Sequence, residues 1–540
     1  MRHTSQITIQ NLSYKTPDDK SIFADLTLSF GTGKTAIVGK NGSGKTTLVK
    51  LIAGELLPSS GSIKLNGTVA ICPQNLNAFA QSTIADIFNV TTKLHALEKI
   101  TSGSAHENDF TILDDDWNIQ ERIQKQLQEF ALEKLDLWRQ LDTLSGGEIT
   151  RLWLAKIFAT HADFLILDEP TNNIDITARR LLYEKIISYS KNLIIISHDR
   201  KLLELMQQII EITAAGIKIY GGNYSDYLEQ KNAQQTATER QLADAKKVLQ
   251  KTKQSIQTTR EKRAKHEAHG VRLRKSGSQA PILLDAMQQR AEKNQGRLAT
   301  REELMLAKAQ NTLDEAKANI EISEEFKFSL PETKVPNGKI VVCLEQVGFS
   351  YPNSNEQIVD NFYLTITGPE RIAIVGANGS GKTTLVKLIT GALTQATGKI
   401  TRGIENIRYL DQHASLLDPK LSIIDNFKVF NPQIKETEAR FCLARFLFRD
   451  RDALKLVMNL SNGEKTRAML ACILMAKQPP QLLILDEPTN HLDLAGIAAI
   501  ESALNCYEGA MIVISHDEVF IDNIAVTKTI SLNESVLRHR

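Results

Sequence analysis

The sequence predicts an α/β protein in which two copies of one P-loop module are joined by a long α-helical hairpin linker. Three observations carry this expectation. Four motifs recur in the same order. Short apolar runs lead into these motifs as buried parallel strands do. The stretch between the copies has helix-compatible composition, with neither proline nor glycine from Asp226 to His269.

The repeat is explicit. GKNGSGKTT (Gly39 to Thr47) returns as GANGSGKTT (Gly376 to Thr384), and LSGGE (Leu144 to Glu148) as LSNGE (Leu460 to Glu464). FLILDEPTNNID (Phe164 to Asp175) returns as LLILDEPTNHLD (Leu482 to Asp493), and IIISHD (Ile194 to Asp199) as IVISHD (Ile512 to Asp517). Lys45 and Lys382 are offset by 337 residues, but Ser145 and Ser461 by 316 and Asp168 and Asp486 by 318. The first copy therefore carries 21 additional residues between its P-loop and its LSGGE. That surplus includes TSGSAHEND and Asp114, Asp115 and Asp116, and reads as a solvated loop, with a short extra contact element as the alternative. The expected division is residues 1–222 for module 1, 223–338 for the connector and 339–540 for module 2.

In the connector, a first helix is expected from Asp226 to about His269, then a breaker-rich turn with Gly270, Gly277 and Pro281. A second helix is expected from about Asp285 to Ile320, with Met287, Ala291, Leu298, Met305, Leu313, Ala316 and Ile320 on one face. Two such helices form an αα-hairpin, and a helix of ~40 residues is ~60 Å long, enough to project from the modules.

Composition narrows the function. The net charge is only +2, so any nucleic-acid surface must be local. The five cysteines (Cys72, Cys343, Cys442, Cys472 and Cys506) are scattered without CxxC, which argues against a disulfide framework or thiolate metal site and fits a reduced cytoplasm. No signal peptide is expected at the N-terminus, and apolar runs such as Leu193 to Ile196 fall far short of the ~20 residues of a membrane helix.

The motifs carry phosphate chemistry. A GxxxxGK[ST] loop wraps phosphates with backbone N–H groups at a helix N-terminus, where the dipole favours negative charge. Each copy follows an apolar run (Thr35 to Val38; Ile372 to Val375) and precedes a helical pattern. The candidate cradles are Gly39, Asn41, Gly42, Ser43, Gly44, Lys45, Thr46 and Thr47, and Gly376, Asn378, Gly379, Ser380, Gly381, Lys382, Thr383 and Thr384. Lys45 and Lys382 are expected to reach the β and γ phosphates, and Thr46 and Thr383 to bind Mg²⁺. Asp168 and Asp486 end apolar strands and suit the Mg²⁺ shell, while Glu169 and Glu487 suit a general base for water. Adjacent strand residues face opposite ways, so both acids are expected where the strand is ending.

With LSGGE, DEPTNxxD and SHD beside a P-loop, each module resembles an ATP-binding cassette domain. The resemblance implies two cassettes closing head to tail over two ATP molecules. Site I would combine the first P-loop, Asp168, Glu169 and His198 with Ser461, Asn462, Gly463 and Glu464. Site II would combine the second P-loop, Asp486, Glu487 and His516 with Ser145, Gly146, Gly147 and Glu148. Gln74 and Gln412 match the glutamine that senses Mg²⁺ and water, and Tyr351 the aromatic that stacks on adenine. In module 1, Tyr14 lies near that position, but Thr16 aligns by spacing. Two departures imply competent but unequal sites: Asn462 replaces a signature glycine, and Asn173-Ile174 stands where the other copy has His491-Leu492.

Two cassettes on one chain, no membrane-spanning segment, the connector and its opening GNYSDYLEQK (Gly222 to Lys231) resemble the F subfamily of cassette ATPases. That likeness implies a monomer whose cassettes pair within the chain and which acts on ribosomes. Its hairpin would enter the exit site against peptidyl-site tRNA, in translation or antibiotic resistance. The charge pattern points to RNA independently. Eleven Lys/Arg lie between Lys246 and Lys275, opposed only by Glu261 and Glu267. Arg260, Lys262, Arg263, Lys265, Arg272, Arg274 and Lys275 are the candidate contacts. No aromatic interleaves them, so backbone and shape recognition is expected rather than base stacking. The alternatives are a DNA-acting ATPase of repair or replication and the motor of a transporter with separate membrane chains.

Overall fold

The computed structural model describes residues 5–72, 79–103, 106–160, 162–172, 174–213, 216–275, 300–317, 330–331, 333–352, 357–412 and 414–532. They form two units: Met1–Tyr224 with Phe326–Arg540, and Ser225–Glu325.

The first unit contains both cassettes. In the first cassette, Phe164–Asp168, Asn192–Ile196, Lys34–Gly39 and Gln208–Thr213 are neighbouring parallel strands. Val69–Cys72 flanks them in parallel at one edge, and Gly216–Gly221 closes the other edge antiparallel. The strand Phe164–Asp168 is buried at every residue, which is why it reads as a continuous apolar run rather than an alternating one. A three-stranded antiparallel sheet, with Gln6–Lys15 at its centre, shares a core with this sheet and with the helix Lys45–Ala53. Leu48, Val49, Leu51 and Ile52 of that helix pack among Ile7, Ile37, Ile166 and Ile194.

The second cassette repeats the plan. Its five parallel strands run in the order Ile407–Leu410, Leu482–Asp486, Ala510–Ile514, Arg371–Val375, Lys528–Ser531. In each cassette the P-loop strand lies beside the strand that ends in SHD, which separates it from the strand that ends in DEP. The motifs therefore gather at the carboxyl ends of parallel strands, where open α/β sheets bind ligands.

The surplus of the first cassette is helical rather than a loop. Helices Thr91–Thr101 and Glu107–Leu113 precede Ile119–Gln128. Leu94, Ala96 and Leu113 are buried, and His95 stacks on Trp138 at 4.4 Å. Asp114 and Asp115 take left-handed backbone after the second helix, while both oxygens of Asp116 accept from Arg122, at 2.6 and 2.7 Å. A polar run with three acids read as solvated because these partners are distant in sequence or appear only once the helices turn.

The second unit is the linker. Its first helix, Tyr224–Lys275, spans 52 residues and passes through Gly270 without breaking. A helical glycine costs only ~1 kcal/mol relative to alanine, which a long helix tolerates. Residues 300–317 are also helical. Leu249 and Ala245 pack with Ala309, Leu313 and Ala316, while Glu302 pairs with Arg260 and Arg263 at 3.0 Å each. These pairings run in opposite directions along the two helices, as a hairpin requires. Met305, expected on the inner face, is 49% exposed, and Ala309 lies inside. The expected connector residues 333 and 335 instead belong to the second cassette. Val335 is in its core, and Thr333 Oγ1 accepts from Glu508 N at 2.9 Å. The expected turn with Gly277 and Pro281, and the second helix before residue 300 and after 317, lie outside the described residues. No helix among the described residues is long and apolar enough to cross a membrane.

Candidate functional site

The first P-loop leaves its strand at Gly39 and enters its helix at Lys45. Gly44 has φ 96°, and a Cβ there would meet Ile22 Cγ2 at 2.6 Å, so glycine is required on both counts. Lys45 Nζ donates to Gly39 O at 2.7 Å and Lys40 O at 3.1 Å, folding the ammonium over the loop. Lys382 does the same with Gly376 O at 2.7 Å and Ala377 O at 2.8 Å. Burial lowers the pKa of both lysines against the pull of the neighbouring glutamates.

The two acids converge for a backbone reason. Each strand ends at its aspartate, and the next residue is left-handed: φ is 49° at Glu169 and 48° at Glu487. This reverses the strand alternation, so Asp168 and Glu169 line the same cleft. The Glu169 and Glu487 amides are held by Ile196 O and Ile514 O of the adjacent strands, at 2.8 and 2.9 Å. Thr46 bonds to Asp168, and Thr383 to Asp486. Burial raises both aspartates. Burial also raises Glu169, and it lifts Glu487 to about 7 against the charge of Arg179.

His198 Nε2 lies 3.5 Å from Glu169 Oε1, and His516 Nε2 lies 3.4 Å from Glu487 Oε1. These are not ion pairs, because burial and the P-loop lysines hold both imidazoles neutral, with His516 lowered to about 4. Several buried polar atoms here have no hydrogen-bond partner among the described residues: Ser43 Oγ, Asp168 Oδ1, both ring nitrogens of His198, Ser380 Oγ, Glu487 Oε1 and His516 Nδ1. Orphaned buried polar atoms are rare in folded proteins. Their concentration around two phosphate-type loops fits a polyanion with its metal. Thr46 and Asp168 in one site, and Thr383 and Asp486 in the other, are the residues present to hold Mg²⁺.

A cleft of about 400 Å³ joins the cassettes at site I. It is lined by Asn41, Gly42, Gly44, Lys45, Thr46, Thr47, Asp168, Glu169 and His198 of the first cassette and by Ser461 and Asn462 of the second. Asn41 N donates to Asp493 Oδ2 at 3.1 Å, and Asn41 Nδ2 to His491 O at 2.8 Å, which ties the first P-loop to the second cassette. Toward site II, Asp175 of the first cassette acts electrostatically on Lys382 and His516.

The signature residues divide by role. Ser145 and Ser461 cap the helices Gly146–Ala159 and Asn462–Leu474, each in a capping box with Glu148 or Glu464. Both glutamates, expected among the ligand contacts, accept from the serine N–H and hydroxyl at 2.8 to 2.9 Å. Gly463 is packed so that a Cβ would meet His491 O at 2.4 Å, whereas a Cβ on Gly146, the counterpart of Asn462, would meet nothing within 4 Å. Gly147 follows Gly146 in the first turn of its helix.

Tyr351 stands beside the second P-loop helix, its hydroxyl 3.2 Å from Thr384 Oγ1. In the first cassette, Tyr14 pairs with Phe23 and packs on the core, as Phe349 pairs with Val359 in the second. Thr16 therefore occupies the position of Tyr351. Gly376, Gly379 and Gly381 lie in the second loop as expected, and a Cβ at Gly376 would meet Leu532 O at 2.4 Å. Asn378 precedes Gly379 in that loop. Gln412 is exposed just beyond the strand Ile407–Leu410. Gln74 and Asn173 lie outside the described residues, as do the side chains of Arg274 and Lys275.

Of the other basic candidates, Lys262, Lys265 and Arg272 are exposed. Arg260, also exposed, and Arg263 pair with Glu302 within the hairpin, which their placement opposite a distant acid concealed. Other residues went unnoticed in the motifs. Tyr409 Oη donates to Asp486 Oδ2 at 2.9 Å, and its counterpart is Ile71. Arg179 reaches the second cassette. Comparing the copies position by position would have exposed both.

A family model described as ABC transporter matches residues 23–172 and 359–490, and a second model with the same description matches 210–276. A Bacillus subtilis protein named YdiF is 32% identical over 539 residues, covering 93% of this chain and 76% of its own. The ATP-binding protein Uup of Haemophilus influenzae is 30% identical over 516 residues, covering 91% and 73%. Among solved structures, an archaeal ribosome recycling factor, aABCE1, in complex with ribosomal stalk protein aP1 aligns with a TM-score of 0.59 at 17% identity. That alignment covers 96% of this chain and 87% of the other, and shows a shared fold.

Proposed function

The chain belongs to the ABC-F-like group of ATP-binding cassette ATPases, and from that premise we propose that it couples ATP binding and hydrolysis between its cassettes to action on the ribosome. Its cassettes are ATP-hydrolysing domains. What supports two composite sites is the cleft that gathers the first P-loop, Asp168, Glu169 and His198 with Ser461 and Asn462. In this reading, backbone N–H groups of the loops and Lys45 or Lys382 bind the triphosphate. Mg²⁺ held by Thr46 and Asp168, or by Thr383 and Asp486, neutralises phosphate charge when bound. Glu169 and Glu487 orient the attacking water and accept its proton, and neutral His198 and His516 contact the γ-phosphate. Ser145 and Ser461 close each site from the opposite cassette.

The observation that carries the ribosomal reading is the linker. A hairpin with a 52-residue helix exposes Lys262, Lys265 and Arg272 in a chain of net charge +2. Such a cluster suits RNA phosphates, and the hairpin would act at the exit site beside peptidyl-site tRNA. The recycling factor that shares the fold is, by its own description, a ribosomal protein partner. The test uses the Glu169→Gln/Glu487→Gln protein, which is expected to co-sediment with ribosomes in ATP and to be released at high salt. Equal recovery with and without ATP, or none, refutes the ribosomal reading.

A further inference from the structure

Arg179 lies on the helix Ile176–Ser188 of the first cassette and is 9% exposed. Its Nη1 donates to the backbone carbonyl of His516, in the second cassette, at 3.2 Å. Its Nη2 donates to Thr171 O of its own cassette at 3.3 Å. Asp199 Oδ2 lies 3.4 Å from Nη1 and also accepts from Tyr183 Oη at 2.6 Å. The guanidinium acts electrostatically on Glu487 and Asp517 of the second cassette. One buried arginine thus joins the DEPTN segment of the first cassette to the histidine and glutamate of the second.

The repeat shows that this contact is one-sided. Asp175 caps the Arg179 helix by accepting from Ala178 N, and Asp493 caps the matching helix by accepting from Gly496 N. The residue that follows is Arg179 in one cassette and Ile497 in the other. Ile497 is 2% exposed and packs in the apolar core of its own cassette, although both it and Arg179 border the cleft between the cassettes. At the matching helix position the second cassette therefore offers the first an aliphatic side chain, which can donate no hydrogen bond to the His198 carbonyl.

We infer that Arg179 is a positioning residue supplied in trans, by which the first cassette holds the His516–Glu487 pair in hydrolytic geometry at site II only. Withdrawing it frees the His516 carbonyl and leaves that segment tied to the first cassette only through the more exposed pairs of Arg180 and Lys201 with Glu518. Site II is then the site whose hydrolysis reports that the cassettes are closed, and site I hydrolyses without that check. The inference rests on the reading of Glu487 and His516 as the hydrolytic pair of site II.

The test is single-turnover hydrolysis by the full chain with saturating ATP, expected to resolve two phases. Glu487→Gln assigns one phase to site II by abolishing it. Arg179→Leu is expected to slow that phase by about ten- to a hundred-fold, the scale of a mispositioned catalytic group. The slowing should exceed that of the other phase by at least about ten-fold, with KM for ATP changed less than about two-fold. Arg179→Lys should recover part of the rate, and Arg179→Gln gives the same comparison if the leucine protein does not fold. Equal slowing of both phases, as a merely structural role would give, overturns the inference, as does no slowing or a single indivisible phase. If Glu487→Gln abolishes neither phase, the assignment of the hydrolytic pair fails first, and that result is distinct from the others.

Discussion

Replacing Asp493 with alanine is expected to damage folding and closure by separable amounts. Its carboxylate caps the helix Leu494–Asn505 by accepting from Gly496 N at 2.8 Å, and also accepts from Asn41 N of the opposite cassette at 3.1 Å. Burial alone would raise this carboxyl, but Arg467 and the two amide donors outweigh it and hold it below the usual range. It is therefore ionised, and its bond to Asn41 is charge-assisted. Loss of the cap costs ~1 kcal/mol, which lowers the Tm of a domain of about 200 residues by ~2–4 °C. Loss of the charge-assisted bond costs ~1.5–3 kcal/mol of closure, or roughly ten- to a hundred-fold in the closed population. The assay is ATP retained after rapid gel filtration of the Glu169→Gln/Glu487→Gln protein, with and without Asp493→Ala, beside thermal unfolding of each. Asn41→Ala removes the 2.8 Å bond to His491 O, together with a side chain of the candidate phosphate cradle, and should weaken retention without moving Tm. A fall in Tm with retention unchanged would refute the assignment of Asp493 to the interface.

Glu487, raised to about 7, is protonated below that pH, so site II hydrolysis in Glu169→Gln should decline as pH falls from 8 to 6. A flat rate over that range contradicts its role as base. Tyr409→Phe removes the bond to Asp486 and should change the Mg²⁺ concentration for half-maximal site II hydrolysis by about five-fold, the scale of one hydrogen bond. Identical Mg²⁺ curves would show that the bond is irrelevant. Substituting Lys262, Lys265 and Arg272 with glutamine should reduce the dependence of log affinity for ribosomes on log salt by ~2–3 if each neutralises one phosphate. An unaltered slope removes them from the interface. Glu302→Gln releases Arg260 and Arg263 and should loosen the hairpin by about 1 kcal/mol, seen as faster amide exchange in residues 300–317. Unchanged exchange would mean the pairs contribute nothing.

The legible parts of the molecule were those written locally. The P-loops, the apolar strands and the histidines announce themselves within ten residues, and their order requires a parallel sheet. What escaped depends on partners far along the chain. The helices Thr91–Thr101 and Glu107–Leu113 look like a polar loop until Trp138 and Arg122 arrive against them. Glu148 and Glu464 stand in a motif associated with ligand and also complete capping boxes, a pattern readable as S-x-x-E. Thr16 was visible by spacing, but only the strand register places Tyr14 with Phe349. Arg179 resembles any basic residue on a helix, and its meaning lies in Ile497 holding the matching place.

Glu169 and Glu487 sit in left-handed backbone, a conformation that costs a non-glycine residue of order 1 kcal/mol or more. The strands before them are complete at Asp168 and Asp486, so the fold asks nothing of the next side chain. Glycine or asparagine would serve the architecture more cheaply. Chemistry and scaffold are thus independently mutable at this step, and loss of a carboxylate is a downhill move for stability. A duplicated chain can therefore shed one active site without losing a domain, which opens a direct route from two working sites to one that hydrolyses and one that only binds. Both carboxylates are still present here, against that gradient.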